Sequence, residues 1–104
     1  MNQRTSNIHQ FGDFRLDVGR GLLFKNQQQV SLPPKAFEIL QFLVESDGKI
    51  VEKSELMQKV WQDSFVEDNN LTVNMTIIRK ALGEKRGENK FIATIPGRGY
   101  RFVA

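Results

Sequence analysis

The sequence predicts a single α+β domain in which three helices lie between an N-terminal antiparallel sheet and a C-terminal β-hairpin. Two observations support this prediction. Apolar and polar residues alternate at both ends of the chain, whereas apolar residues recur at helical spacing in the middle. The chain is also 104 residues long, which is enough for one compact domain and too short for two.

The N-terminal third predicts a small antiparallel meander. Residues 1–10 are polar, and we expect them to be flexible. From residue 11 onward, Phe14, Leu16 and Val18 alternate with polar residues, as is typical of a half-buried strand. Two further strands are predicted at 22–25 and 29–32. Three such strands are marginally stable alone, so one face of the sheet needs a helix packed against it.

Three helices are predicted in the middle of the chain. They are expected over 34–47, about 53–61 and 69–82. Pro34 suits the first turn of a helix, and Asp68 and Gly83 are the expected N-cap and stop signal of the third helix. The sequence leaves Glu52 and Ser54 as alternative N-caps of the second helix.

The C-terminal segment predicts a β-hairpin that carries an arginine at its tip. Two apolar stretches, 91–95 and 100–103, flank a Pro-Gly-Arg-Gly turn. Arg98 lies between two glycines in this turn, so neighbouring side chains leave it free to approach a phosphate or a narrow groove. An apolar pair at 50–51 is a candidate for a further short strand.

The composition excludes several classes of site. The absence of cysteine removes disulfides, thiolate zinc sites and cysteine nucleophiles. The one histidine, His9, has no partner at metal-ligand spacing, and no glycine-rich phosphate loop is present. We therefore expect no enzymatic activity, cofactor, metal or small-molecule substrate. No apolar run is long enough for a membrane span and no signal peptide opens the chain, so we expect a cytoplasmic location.

Charge is distributed unevenly along the chain. Residues 69–104 contain seven Lys and Arg and two acidic residues, whereas residues 1–68 contain eight and ten. The net charge of +3 therefore conceals a basic C-terminal third. Such a region favours contact with a polyanion, although a solvated surface without a partner explains the charge alone equally well.

The third helix has two contrasting faces. Its apolar stripe, which we expect to pack on the core, consists of Leu71, Met75, Ile78 and Leu82. The opposite side has no acidic residue and carries amide, hydroxyl and small aliphatic groups instead of better helix formers. These groups can read the edges of DNA bases. The candidate base-facing residues are Asn69, Asn70, Thr72, Val73, Thr76 and Ile77.

Two other interpretations of this face remain open. It is compatible with a poorly optimised surface, or with a protein–protein contact centred on Val73 and Ile77. However, a polar-faced second helix after a short loop, followed by a basic hairpin, describes a winged helix-turn-helix. Arg79 and Lys80 add positive charge beside the hairpin tip.

Three segments carry a resemblance to a known family. The run 66–74, the run 78–82 and the Gly-Tyr-Arg-Phe ending at 99–102 resemble the OmpR/PhoB-type winged helix-turn-helix DNA-binding domains. The resemblance extends over about 11–103, which is nearly the whole chain. The Ile-Pro-Gly-Arg-Gly-Tyr segment is similar to the ToxR/CadC-like branch, whose parent proteins continue into an inner-membrane anchor and a sensor. We therefore expect a domain taken from a longer regulator.

The family resemblance implies a fold and a set of contacts. The fold has a four-stranded N-terminal sheet, three helices and a C-terminal hairpin wing. The third helix enters the major groove of DNA and the wing reaches the minor groove. Asn69, Thr76 and Ile77 replace residues that are commonly basic in the family, and Pro96 replaces a wing arginine, so Arg98 is the expected substitute. The residues expected at phosphates or in the minor groove are Trp61, Arg79, Lys80, Arg98 and Tyr100.

The sequence thus predicts a sequence-specific double-stranded DNA-binding domain of a bacterial transcriptional regulator involved in signal transduction, with residues 11–104 as the domain. Family members also suggest RNA polymerase as a partner of the 62–67 loop and a second copy on tandem half-sites. Two alternatives remain: a winged-helix protein-interaction module, and shape-specific binding of duplex RNA.

Overall fold

The computed structural model describes residues 7–62, 65–85 and 87–104. Within these residues the chain forms seven strands and three helices, and the predicted α+β winged-helix fold is confirmed. In chain order the elements are β1 (Ile8–Phe11), β2 (Phe14–Asp17), β3 (Leu22–Lys25), β4 (Gln28–Val30), α1 (Pro34–Glu45), β5 (Ile50–Glu52), α2 (Lys53–Val60), α3 (Asn69–Ala81), β6 (Ile92–Ile95) and β7 (Gly99–Phe102).

The N-terminal sheet has four antiparallel strands in the order β1-β2-β3-β4. Leu16, Leu23 and Val30 lie opposite one another in register, so they line the same face of the sheet. Leu16 and Leu23 are fully buried there. The alternation of apolar residues thus aims one side of the sheet at the core.

The prediction of a flexible segment over residues 1–10 was wrong for residues 8–10, which belong to β1. This strand pairs with β2 through the backbone, from Ile8 opposite Asp17 to Phe11 opposite Phe14. Phe11 then anchors it, because its ring lies 5.0 Å from that of Phe102 and 5.6 Å from that of Phe14. The segment shows no alternation of apolar and polar residues, because Ile8 and Phe11 are separated by His9 and Gln10, and backbone pairing with β2 holds it in place. The fourth strand agrees with the family resemblance.

Helix α1 lies at the centre of the core. Its buried face comprises Ala36, Ile39, Leu40 and Leu43, none of which is exposed to solvent. The helix begins at Pro34 as predicted, and the backbone N–H of Phe37 donates to the carbonyl of Pro33. It ends at Glu45, two residues before the predicted end, and Asp47 and Gly48 follow with positive φ.

Helix α3 packs its apolar stripe against α1 and α2. Leu71, Met75, Ile78 and Leu82 are all at most 3% exposed, as the sequence predicts. Asp68 occupies the N-cap position, but its backbone is helical and its side chain makes no capping hydrogen bond. The expected capping role of Asp68 was therefore wrong. For α2, Glu52 rather than Ser54 is the N-cap residue, again without a side-chain bond.

The second sheet joins the C-terminal hairpin to the body of the domain. Its strand order is β5-β7-β6, with β5 and β6 both antiparallel to β7. The candidate strand at 50–51 is thus confirmed as part of β5. The backbone N–H of Lys53 also donates to the carbonyl of Arg98, which ties the hairpin tip to the start of α2. We refer below to β6, β7 and their turn as the wing.

Candidate nucleic-acid interface

The face of α3 opposite its apolar stripe is open to solvent. Of the six residues expected to face bases, Asn69, Asn70, Thr72, Val73 and Thr76 are exposed. Val73 is the most prominent apolar one, with 49% of its surface accessible. Ile77 differs, because it is partly buried and packs against the core. The open face therefore consists of five of the six predicted residues, with Ile77 at its margin.

Local hydrogen bonds orient two side chains of this face. Asn70 donates through Nδ2 to the carbonyl of Glu67 at 3.1 Å, and Thr76 donates through Oγ1 to the carbonyl of Thr72 at 3.2 Å. An asparagine amide has two donor hydrogens and an acceptor oxygen, and a hydroxyl can also accept. These bonds therefore hold the side chains in place and leave them capacity to bind a partner.

The wing is attached to the same helix by polar contacts. Arg79 donates through Nη2 to the carbonyl of Ile92 at 3.0 Å and to Oγ1 of Thr94 at 2.8 Å. The side chain of Tyr100, on β7, lies beside that of Thr72 on α3. The guanidinium carbon of Arg79 also lies 5.9 Å from the centre of the Tyr100 ring. The fold thus brings the open face of α3 and the wing together.

The residues expected at phosphates fall into two groups. Lys80 and Arg98 are exposed, and an Arg98 nitrogen lies 3.6 Å from the carboxylate of Glu52. Arg79, Tyr100 and Trp61 are more enclosed: the Arg79 side chain is 27% exposed, Tyr100 is 6% exposed and Trp61 packs against the core. The structure gives Arg79 and Tyr100 intramolecular partners, and their contact with DNA stays a prediction.

Burial raises the pKa of the Tyr100 phenol above its ordinary value. The positive charge of Arg79 and the hydrogen bond with Thr72 act in the opposite direction but do not outweigh desolvation. The folded domain consequently favours the neutral phenol. A group with a raised pKa in the folded state stabilises the fold below its unfolded pKa, and this contribution is lost as the pH rises through the folded pKa.

We therefore expect the free energy of unfolding to fall as the pH rises above the pKa of an ordinary tyrosine, partly because of Tyr100. Tyr100 is the only tyrosine in the chain, so the ultraviolet absorbance of tyrosinate reports its titration directly. Denaturant unfolding of wild type and Tyr100→Phe across this pH range checks the linkage. Equal pH dependence in both proteins, or tyrosinate appearing at the ordinary pKa, would contradict it.

Sequence reasoning missed Glu84 and Thr94. Both lie outside α3, and Glu84 begins a charged, glycine-containing stretch that leads to the hairpin. In the structure the Glu84 side chain is fully buried, and its carboxylate accepts a hydrogen bond from the backbone N–H of Phe91 at 2.7 Å. The sequence did show an acidic residue, Glu84, directly after the expected helix stop at Gly83. It did not show that the partner of this residue would be the backbone of Phe91, seven residues later.

A second surface lies beside the predicted interface. Phe65 is fully exposed, and it borders an open groove of about 600 Å³ together with Met57, Trp61 and Val66. Residues 63 and 64 of the predicted 62–67 contact loop lie outside the described residues. The groove therefore presents apolar side chains next to the N-terminal end of α3.

The part of the chain that the structure describes contains no group of three or more acidic or histidine side chains able to hold a metal ion. None of its helices has the length and apolarity needed to cross a membrane. Both findings concern residues 7–62, 65–85 and 87–104 alone.

Comparison with known proteins gives one family match and several relatives. Residues 27–102 match the family model described as "Transcriptional regulatory protein, C terminal". The chain is 39% identical over 92 residues to the transcriptional regulator HilA of Salmonella typhi. The aligned region covers 88% of this chain and 16% of HilA. The chain thus spans about a sixth of the length of this relative.

Solved structures show the same fold. The response regulator DrrB of Thermotoga maritima, described as an OmpR/PhoB homologue, superposes with a TM-score of 0.87 and 33% identity over 94% of this chain and 45% of DrrB. The DNA-binding domain of RstA from Klebsiella pneumoniae, solved in complex with the RstA box, has a TM-score of 0.81 over 92% of this chain and 96% of that one. Its identity of 22% establishes likeness of fold alone.

Proposed function

We propose that this chain binds double-stranded DNA sequence-specifically. The premise is that the chain belongs to the OmpR/PhoB-type family of transcriptional regulatory C-terminal domains. The open face of α3 lies in the major groove and the wing reaches the adjacent minor groove. The observation that carries this proposal is the exposed, acid-free face of Asn69, Thr72, Val73 and Thr76 on a helix hydrogen-bonded to the wing. The RstA complex supports it through a shared fold.

The side chains of α3 match the chemistry of base edges. Asparagine can bond adenine through two atoms, threonine can bond any base, and the methyl groups of Val73 can meet a thymine methyl. Each good pair contributes about 1–3 kcal/mol of discrimination between bases. The six proposed base-facing residues are Asn69, Asn70, Thr72, Val73, Thr76 and Ile77. Of these, Ile77 is partly buried and exposes only part of its side chain.

Positive charges beside this face hold the backbone of the duplex. Lys80 and the wing-tip Arg98 are the exposed ones, and Arg98 exchanges its contact with Glu52 for the minor groove or a phosphate. Trp61, Arg79 and Tyr100 are proposed to contact phosphates through the surface that each keeps accessible. Phosphate contacts position the protein on the duplex and carry no base sequence information.

Replacement of Arg98 by alanine is expected to weaken binding to all DNA sequences alike. Each phosphate contact releases a counterion, so the slope of log K against log salt should flatten by about one unit. Fluorescence anisotropy titrations at several salt concentrations measure this slope. Lys25→Ala is the control, since it removes the same charge from β3 of the N-terminal sheet and should leave the slope unchanged. An unchanged slope for Arg98→Ala would remove this residue from the interface.

A gel-shift experiment at two salt concentrations tests the proposed function. It compares genomic upstream fragments with random duplex DNA and duplex RNA of equal length. Sequence-specific DNA binding requires that some upstream fragments are retained at the higher salt, where random DNA is released. Equal retention of duplex RNA would favour shape-specific RNA binding, and no retention of any nucleic acid would reject the proposal.

We also propose protein partners for the surface around Phe65. A fully exposed phenylalanine beside a groove that Met57, Trp61 and Val66 also line is typical of a protein contact. By family resemblance the partner is RNA polymerase, and the bound domain is joined by a second copy on tandem half-sites. The domain then serves a longer, signal-responsive regulator in the cytoplasm. The exposed Val73 also suits a protein-interaction module, which would keep its partner at salt concentrations that abolish DNA binding.

A further inference from the structure

A buried carboxylate joins the end of α3 to the start of the wing. The Glu84 side chain is fully buried, and its Oε2 accepts hydrogen bonds from the backbone N–H of Phe91 at 2.7 Å and of Ile92 at 3.4 Å. Its other oxygen, Oε1, lies 3.5 Å from Nε of Arg79. A carboxylate is costly to bury unless it is paired, and these contacts supply that pairing.

Arg79 completes the connection from the helix side. Its Nη2 donates to the carbonyl of Ile92 and to Oγ1 of Thr94, while its Nε faces Glu84. One planar guanidinium therefore hydrogen-bonds two residues of β6, Ile92 and Thr94, and forms an ion pair with the buried carboxylate of Glu84. Two hydrogen bonds from Nη2 and an ion pair through Nε use different edges of one rigid fork, so they fix direction as well as distance, which a lysine at this position could not do.

We propose that Arg79, Glu84 and Thr94 form a clamp that sets the position of the wing relative to α3. In this role they are positioning residues, and the inference rests on the proposed function, in which α3 and the wing enter two grooves of one duplex. The clamp holds β6, the strand on the outer edge of the second sheet. The opposite edge is already held, because β5 pairs with β7.

Such a clamp raises affinity by preorganisation. If the wing moved independently, DNA binding would have to order it, and this loss of conformational freedom would weaken the complex. With the clamp intact, Arg98 reaches its contact whenever α3 lies in the major groove. The energetic value of Arg98 should therefore depend on Thr94, although Thr94 lies within β6 and Arg98 lies in the turn that follows it.

A double-mutant cycle tests this dependence on duplex DNA. Thr94→Val removes the hydroxyl that accepts from Arg79 but keeps a β-branched residue at an exposed strand position, so the fold should be retained. We expect Thr94→Val to lower affinity about fivefold, and Arg98→Ala to cost about threefold less in that background than in wild type. Thr94→Ser keeps the hydroxyl and should restore near-wild-type binding. Strictly additive losses would overturn the inference.

A measurement without DNA separates the clamp from the proposed function. Residual dipolar couplings report the orientation and mobility of the wing relative to α3 in the free domain. Wild type and Thr94→Ser should share one orientation, whereas Thr94→Val and Glu84→Gln should show reduced couplings in the wing alone. Unchanged couplings in both variants would overturn the clamp. A wild-type domain that binds no DNA would reject the proposed function, and the couplings would still decide the clamp.

Discussion

Replacement of Val73 by glutamate is expected to lower the affinity for specific DNA about 100-fold or more. Val73 is half exposed on the open face of α3, so a carboxylate there meets base edges and phosphates instead of a thymine methyl. A like charge placed against the phosphates costs several kcal/mol, to which the lost apolar contact adds. Glutamate is the better helix former, so the helix itself should not be weakened. Fluorescence anisotropy with a retained upstream fragment measures the effect.

Gln29→Glu is the matched control for this prediction. It adds the same charge at an exposed position of β4, in the N-terminal sheet. Its effect on affinity should be small, because the added charge is not on the interface and salt screens it from the phosphates. Equal losses for Val73→Glu and Gln29→Glu would indicate that net charge alone governs binding and would remove α3 from the interface.

Replacement of Gly99 by alanine is expected to reduce the free energy of unfolding by about 3 kcal/mol. Gly99 begins β7 and lies opposite Glu52 of β5. A Cβ atom at this position would overlap the carbonyl oxygen of Val51 and come within 2.8 Å of the Cα of Glu52. Both neighbours are backbone atoms, so relief requires the two strands to separate. The same separation would displace the wing from α3.

Urea unfolding followed by circular dichroism measures this loss. Gly19→Ala serves as the comparison, since its Cβ would meet only a carboxylate oxygen of Asp17 at 3.8 Å, and Gly19 is not among the positions with positive φ. We expect that variant to be neutral or slightly stabilised. If Gly99→Ala unfolds at the same urea concentration as Gly19→Ala, the close approach of β5 and β7 does not constrain this position.

The helices were predictable because each buries one face at a spacing visible in the chain. The stripe from Leu71 to Leu82 fixed both the existence of α3 and the side that faces solvent. Strand β1 was not predictable in the same way, since backbone pairing with β2 holds it and its two apolar residues, Ile8 and Phe11, do not alternate with polar ones. The predicted capping role of Asp68 was wrong because this residue has helical backbone geometry and its side chain makes no capping hydrogen bond.

The candidate site was also predictable from the sequence only in part. Its open face follows from helical periodicity, which is a local property of the sequence. Ile77 is only partly exposed because it lies at the boundary between the two faces, where it packs against the core, and its contact with bases stays a prediction. The contacts of Arg79 with Thr94 and of Glu84 with Phe91 join residues that are distant in sequence. Only the docking of the wing on α3 creates these contacts, so no pattern within one element indicates them.

Mapping the DNA-bound surface by amide chemical shifts is the most direct test of whether α3 and the wing form the DNA interface. The isolated domain is titrated with a duplex containing a retained upstream fragment, and shifts are followed along the backbone. We expect the largest changes over α3 from Asn69 to Lys80 and at the wing tip around Arg98, with small changes over β1 to β4. The opposite distribution, with the largest changes on the N-terminal sheet and none on α3, would contradict it.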